Sequence, residues 1–280
     1  MPTFFNQASL SYNGRVTNSN VTEGEILSVG TVTKTAIINT YTRSSQVAYA
    51  VALTNTSGTP QSASVTDNLG AFTTDGETYV PLDYVEGTAL LYINGVSVPV
   101  DVTDSTPLTF RDFTIPAGGS ALLIYAAEVN EYAPLAAGSE ITNTVTAEVG
   151  CGTQTAEATV TVRDSVLLTI AKAISPASVG ACGEVTYTLV IQNSGNTAVV
   201  ATDNVIVSDT FDPPLVNISV ESDGEEWDEG VQYSYDEVTG EFRTLEGAIT
   251  VPAATFTTAD DGTVTVTPGV LVITITGNLS

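Results

Sequence analysis

The 280-residue chain has no histidine, one methionine, one tryptophan, two cysteines and only seven basic residues against 32 acidic ones. Without histidine, Ser-His-Asp triads and histidine-based metal sites are excluded. A net charge of −25 with no basic cluster rules against nucleic acid, because phosphate binding needs Lys and Arg. An anionic membrane surface is disfavoured for the same reason, while strong negative charge keeps a long-lived surface protein soluble. No apolar run approaches the roughly 18 residues of a membrane-spanning helix, so no membrane insertion is expected. No phosphate-binding glycine loop appears, and no stretch shows sustained helical periodicity. No cofactor, no metal and no enzymatic turnover are expected. The start, MPTFFNQASLSYNG, lacks the basic region and apolar stretch of a secretory signal.

What is present is Val, Thr, Ala, Ser and Gly. Val and Thr favour strands, and Gly, Pro, Asn and Asp punctuate short turns. An all-β chain follows, and its length suits two modules of about 100–150 residues each.

An internal repeat organises it. TKTAIINTYTRSSQVAYAVALTNTSG around Lys34 registers without a gap on AKAISPASVGACGEVTYTLVIQNSGN around Lys172. Tyr49 then falls on Tyr187 and Asn55 on Asn193. Farther on, ASVTDNL matches VIVSDTF, setting Asp67 beside Asp209, and AGGSALLIYAAEVN resembles TPGVLVITITGNLS. The first copy continues through EYAPLAAGSE into one more strand, ITNTVTAEVG; the second reaches Ser280 without it.

The N-terminal FFNQASLSYNG resembles that extra strand. Asn6 falls on Asn143, and Ala8, Leu10 and Tyr12 fall on Val145, Ala147 and Val149. Strand side chains alternate faces with period two, so Phe4, Asn6, Ala8, Leu10 and Tyr12 share one face. Asn6 precedes Lys34 by 28 residues and Asn143 precedes Lys172 by 29. The expected layout is two immunoglobulin-like β-sandwich modules in tandem, the second lacking its last strand, plus an N-terminal donor strand. Residues 1–14 are the donor and 15–30 a linker or second hairpin strand. Residues 31–150 form the complete module, 151–166 a linker, and 167–280 the incomplete module.

A sandwich short of a strand leaves unpaired backbone and exposed apolar side chains, which a strand from another molecule can cover. Filling its own groove would require about 15 linker residues, at most ~50 Å even when extended, to run back along the first module. The expected partner is another copy of the chain, joined head-to-tail, and a head-to-tail contact that does not close builds a filament.

The only two lysines, Lys34 and Lys172, are in register. Each has an in-register Asp, at 67 or 209, and an Asn at 143 or, displaced, at 6. This trio resembles the intramolecular isopeptide domains of Gram-positive surface proteins and pilins. More narrowly, the chain resembles the bacterial repeat family known as domain of unknown function eleven. The resemblance is carried by the opening Lys strand, the YAVALTN and YTLVIQN segments, the V-x-D-x-L/F stretch and the closing I/F-x-N strand, and covers nearly the whole chain. Phe211-Asp212-Pro213-Pro214 departs from Leu69-Gly70-Ala71 in a loop.

Burial supplies the chemistry. In a low-dielectric core lysine loses its proton more readily and aspartic acid holds its own more tightly. Neutral Lys Nζ can attack the Asn carboxamide, with the Asp polarising it and carrying protons to the leaving ammonia. This is a single autocatalytic turnover. The expected cross-links are Lys34–Asn143 within the subunit, assisted by Asp67, and Lys172 to Asn6 of a neighbouring subunit, assisted by Asp209. A plain salt bridge would explain each Lys–Asp pair but not the Asn at the third corner.

Cys151 and Cys182 flank the module junction; a disulfide between them, free thiols and an intersubunit link all stay open. The acidic stretch ESDGEEWDEG (residues 221–230) reads as a solvated hairpin tip, or else as a calcium or sugar site presenting Trp227. The expected function is a structural subunit of a self-assembling extracellular fibre, pilus-like or a spore appendage released by mother-cell lysis. The alternatives are an adhesive module and a stalk fragment of a longer surface protein.

Overall fold

The computed structural model describes residues 3–25 and 30–279. Among these there is no α-helix, and the chain divides into two compact units, residues 1–133 with 140–160 and residues 134–139 with 161–280.

The N-terminal segment forms β1 (Thr3–Asn6), β2 (Ser9–Tyr12), β3 (Arg15–Asn18) and β4 (Thr22–Glu25). They fold into a hairpin that, among the described residues, pairs only with itself: β2 lies on β3 with Tyr12 opposite Arg15, and β1 lies on β4 with Asn6 opposite Thr22. Asn13 and Gly14 close it with φ of 47° and 76°, the paired positive values of a tight hairpin turn, for which Asn-Gly is the favoured sequence. Residues 26–29, within the expected linker, lie outside the described residues, as do Met1, Pro2 and Ser280.

The first module comprises β5 (Gly30–Ala36), β6 (Thr40–Tyr41), β7 (Gln46–Asn55), β8 (Gln61–Asp67), β9 (Phe72–Thr74), β10 (Glu77–Tyr79), β11 (Leu82–Tyr84), β12 (Leu90–Ile93), β13 (Val96–Val98), β14 (Asp101–Ser105), β15 (Leu108–Ile115), β16 (Ser120–Val129), β17 (Glu140–Val149) and β18 (Gly152–Val162). One sheet runs β13-β12-β16-β7-β5, with β11 also on β16, and the other runs β14-β15-β8-β17-β18-β6. Alternation places Val47, Tyr49, Val51 and Leu53 of β7 and Leu123, Tyr125 and Ala127 of β16 inside. Ala63 and Val65 of β8 and Val145, Ala147 and Val149 of β17 face them from the second sheet. Burying each large aliphatic side chain contributes about 1.5–3 kcal/mol, enough that a one-residue register slip would be prohibitive.

The stretch 151–166, expected as a linker, is corrected here: residues 152–162 are β18, an integral strand of the second sheet. Its Ala158, Val160 and Val162 are buried, so the period-two pattern runs on past Cys151.

The second module comprises β19 (Leu168–Ser175), β20 (Glu184–Asn193), β21 (Ser208–Thr210), β22 (Leu215–Ser222), β23 (Glu225–Glu226), β24 (Tyr233–Asp236), β25 (Glu241–Thr244), β26 (Thr255–Thr258), β27 (Val264–Thr267) and β28 (Gly269–Leu279). A five-stranded sheet, β19-β20-β28-β22-β23, is accompanied by the three-stranded sheet β21-β25-β24 and the hairpin β26–β27. Leu189, Ile191, Ile273 and Ile275 of the larger sheet share one core with Phe211, Tyr233 and Phe242. Both modules are thus all-β immunoglobulin-like sandwiches, with β5, β7, β8 and β16 recurring as β19, β20, β21 and β28. The repeat asparagines Asn55 and Asn193 stitch matching loops: Asn55 Nδ2 donates to the carbonyls of Thr59, Ile115 and Pro116, and Asn193 Nδ2 to those of Thr197 and Pro252.

Candidate cross-linking site

In the first module Lys34 extends from β5 in one sheet to Asp67 on β8 in the other, with Nζ 2.6 Å from Oδ2 and both side chains fully buried. Nζ lies 4.7 Å from the Tyr49 ring centroid and 6.0 Å from that of Tyr125. The Tyr125 hydroxyl donates to the same Asp67 Oδ2, and the Leu69 amide donates to Oδ1 at 2.8 Å. Burial lowers the Lys34 pKa to about 8, against the opposing pull of Asp67. A lysine in this state sheds its proton far more easily than one in water.

Asn143 comes from β17, the strand beside β8, where Val145 sits opposite Asp67. It is fully buried. Its Oδ1 accepts the Gly70 amide at 3.2 Å, a donor shared with Asn68 Oδ1 at 3.0 Å. Its Nδ2 has no hydrogen-bond partner among the described residues, and neither has the Tyr49 hydroxyl. Burial raises the Tyr49 and Tyr125 pKa values, while the neighbouring Asn143 amide pulls both down. That proximity falls short of a hydrogen bond in accepted geometry, so both atoms stay unpaired. Buried polar groups are normally satisfied, and an orphaned amide nitrogen calls for a reason. A carboxamide held by its oxygen on a backbone N–H is polarised at its carbon, the kind of group that an amine can attack.

In the second module Lys172 Nζ likewise meets Asp209 Oδ2, and lies 4.5 Å from the Tyr187 ring centroid and 5.0 Å from that of Phe211. Here the Lys172 side chain is 38% exposed and that of Asp209 18%, against 0% for both members of the first pair. β21, which carries Asp209, pairs with β25 on one edge; among the described residues no strand lies on its other edge, where β17 flanks β8 in the first module. Asn6, Phe4, Leu10 and Tyr12 stand exposed on the N-terminal hairpin, and Ala8 bonds only across it, to Ser19.

Two contributors escape a reading of the sequence. Tyr125 occupies the position of Ile275, since these residues pair with Tyr49 and Tyr187 respectively, so the repeat comparison hides it. Gly70 sits at φ 74°, where a Cβ would come within 2.6 Å of Ile141 Cγ2. Its signal was the Asp-Asn-Leu-Gly turn, which reads as a loop.

Cys151 and Cys182 are both exposed free thiols. Trp227 packs partly buried against the second core, its amide donating to the Val220 carbonyl at 2.8 Å. No cluster of three or more His, Cys, Asp or Glu side chains suited to a metal occurs among the described residues. No helix among them is long and apolar enough to cross a membrane.

No family model matches the chain, and no curated protein matches it either. Its structural neighbours include Gram-positive pilin and adhesin domains. The major pilin subunit of Bacillus cereus aligns over 98% of this chain and 74% of its own, at 16% identity and TM-score 0.37. The pilus backbone protein RrgB of Streptococcus pneumoniae aligns over 85% and 55%, at 12% identity and TM-score 0.35. The collagen adhesin of S. aureus aligns over 52% and 55%, at 14% identity and TM-score 0.32. At these values the likeness carries no weight on function, which has to come from the site.

Proposed function

We propose that the chain is a structural subunit of a self-assembling surface fibre. The N-terminal segment of one copy completes the second module of the next, and Lys–Asn amides lock the assembly. One observation supports this above the rest: the same Lys–Asp–aromatic centre occurs twice, once sealed with Asn143 in place and once open beside an unpaired strand edge. An exposed segment at the N-terminus carries an Asn and period-two apolar positions that register on those of the strand sealing the first.

The chemistry balances without a cofactor. Lys34 passes a proton to Asp67 and becomes a neutral amine. Nζ attacks Asn143 Cγ, and the Gly70 amide stabilises the charge developing on Oδ1. Asp67 returns that proton to Nδ2, the Cγ–Nδ2 bond breaks and ammonia leaves, while Asp67 takes the remaining extra proton from the cationic Nζ and ends protonated. Lysine amine plus carboxamide has become secondary amide plus ammonia. In the second module Lys172 and Asp209 act in the same way on Asn6 of the neighbouring copy, with the Asp212 backbone at the position of Gly70.

The test is denaturing electrophoresis of boiled, reduced protein beside Asn6→Ala, with peptide mass spectrometry of the bands. A ladder in wild type that collapses in the variant, with a Lys172–Asn6 peptide about 17 Da light from lost ammonia, is the expected result. Monomer with intact Asn6 and no filaments by electron microscopy overturns the reading.

A further inference from the structure

Among the described residues the second module shows no counterpart to β17, nor to β18. In the first module two strands, β17 and β18, stand between β8 and the short strand β6. In the second module β21 stands in for β8, and Ser178–Val179 fall at the position of Thr40–Tyr41 in the ungapped repeat. Ser178 and Val179 lie outside every strand, and Val179 is 37% exposed where Tyr41 is 1%. Among the described residues, then, neither the outer edge of β21 nor Ser178–Val179 has a strand beside it, and the order of the first module would set two strands between them.

The N-terminal segment has the matching form. Its hairpin turns on two residues, Asn13–Gly14, between the paired Tyr12 and Arg15. β17 and β18 turn on Gly150–Cys151, and their register is marked by Thr142 against Thr159 and Thr144 against Glu157 through side-chain hydrogen bonds of 3.0 and 3.4 Å. Aligning Asn6 with Asn143 superposes the two turns in sequence. The faces also agree. Phe4, Leu10 and Tyr12 are exposed on the face that carries Asn6, and the cross-strand residues sharing it, Gly24, Thr22, Thr17 and Arg15, are mostly small or short. On the acceptor side Ile170 and Ile174, flanking Lys172 on its own face of β19, are 56% and 43% exposed.

We propose that the donated element is the whole hairpin, residues 3–25 of a second copy, entering preformed. β1–β2 pairs with β21, placing Ala8 opposite Asp209 and Leu10 opposite Val207, as Val145 and Ala147 lie opposite Asp67 and Val65. β3–β4 forms the outer strand and pairs with Ser178–Val179, which takes the part of β6. The inference rests on the head-to-tail reading. It adds that two ladders form, and that a single inserted strand would leave Ser178–Val179 open and the inserted strand with an unpaired edge.

The test is hydrogen exchange on fibres of the full chain, with two variants that spare Asn6, Lys172 and β21. Val16→Pro removes a backbone donor on the outward edge of the outer strand, because the Ser19 amide donates inward to the Ala8 carbonyl and alternation turns the Val16 amide outward, and Val179→Pro removes the acceptor donor at a position outside any strand of the free subunit. Wild-type fibres are expected to protect residues 15–25 and the amides of Ser178 and Val179 at least tenfold over the monomer, and both variants are expected to assemble at least tenfold more slowly. Fibres that protect residues 3–12 while Ser178–Val179 exchanges as in the monomer, with both variants assembling normally, overturn the hairpin and leave strand donation standing. Absence of fibres from wild type overturns both.

Discussion

At the residue scale the centre around Lys34 holds a costly ionic arrangement, which the proposed cross-link would remove. Burying a lysine–aspartate pair costs desolvation that their attraction need not recover, and converting the lysine into a neutral amide ends that cost. Intact-mass measurement of the folded subunit is expected to show a loss of about 17 Da, one ammonia, abolished in Lys34→Ala, Asn143→Ala and Asp67→Ala. In Asn143→Ala the lysine stays titratable, with its pKa near 8 when folded and 10.5 ordinarily. Between those values the unfolded chain binds more protons, so stability rises with pH, by on the order of 3 kcal/mol across the window. Tyr41, Tyr49 and Tyr125, raised chiefly by burial, act oppositely once the unfolded tyrosines ionise above about pH 10. Urea denaturation of Asn143→Ala is expected to show a maximum near that pH, and the cross-linked wild type no rise above pH 8. Gly70→Ala, strained by a positive φ and pressing on Ile141, is expected to destabilise the first module by about 1–2 kcal/mol; slower ammonia loss on refolding would show that the Gly70 amide positions the carboxamide.

At the element scale the contrast lies between two hairpins of one design, β17–β18 within its sheet and β1–β4 pairing only with itself. The first keeps Val145, Ala147 and Val149 inside, while the second leaves Leu10 67% exposed. An exposed apolar face on a self-paired hairpin is a liability in a lone subunit and an asset in an assembling one. Leu10→Asp adds no burden to the free hairpin, yet seating it would bury an unpaired charge, costing several kcal/mol. Sedimentation velocity is expected to find a folded monomer that does not elongate.

At the scale of the whole molecule, a net charge of −25 makes every encounter between copies repulsive at long range. The Debye length is about 8 Å at 0.15 M salt and about 30 Å at 0.01 M. Light scattering is therefore expected to show assembly accelerating several-fold as salt rises between those concentrations, with amide yield per contact unchanged, since the buried chemistry is screened far less. A rate indifferent to salt would mean that charge does not limit the encounter.

Much was legible in the sequence because it is local or self-similar. Period-two alternation in YAVALTN and YTLVIQN marks buried strands wherever they dock, and the repeat sets Lys34 on Lys172 and Asp67 on Asp209 whatever the fold. Residues 151–166 read as linker because Gln154, Thr155, Ala156 and Glu157 carry little apolar signal; their strand is fixed by pairing in the sheet. Tyr125 was invisible because its repeat partner is Ile275, and its role depends on two sheets meeting at Asp67. Residue order alone determined the all-β class, the two modules, the paired lysines and an N-terminal segment patterned like residues 140–149. Only the tertiary structure decided that one lysine is buried and the other part-exposed, that Asn143 is held by Gly70 with its nitrogen unengaged, and that β21 has no strand on its outer edge among the described residues. Burial and edge pairing belong to the neighbours that long-range folding brings together, and no stretch of sequence carries them by itself.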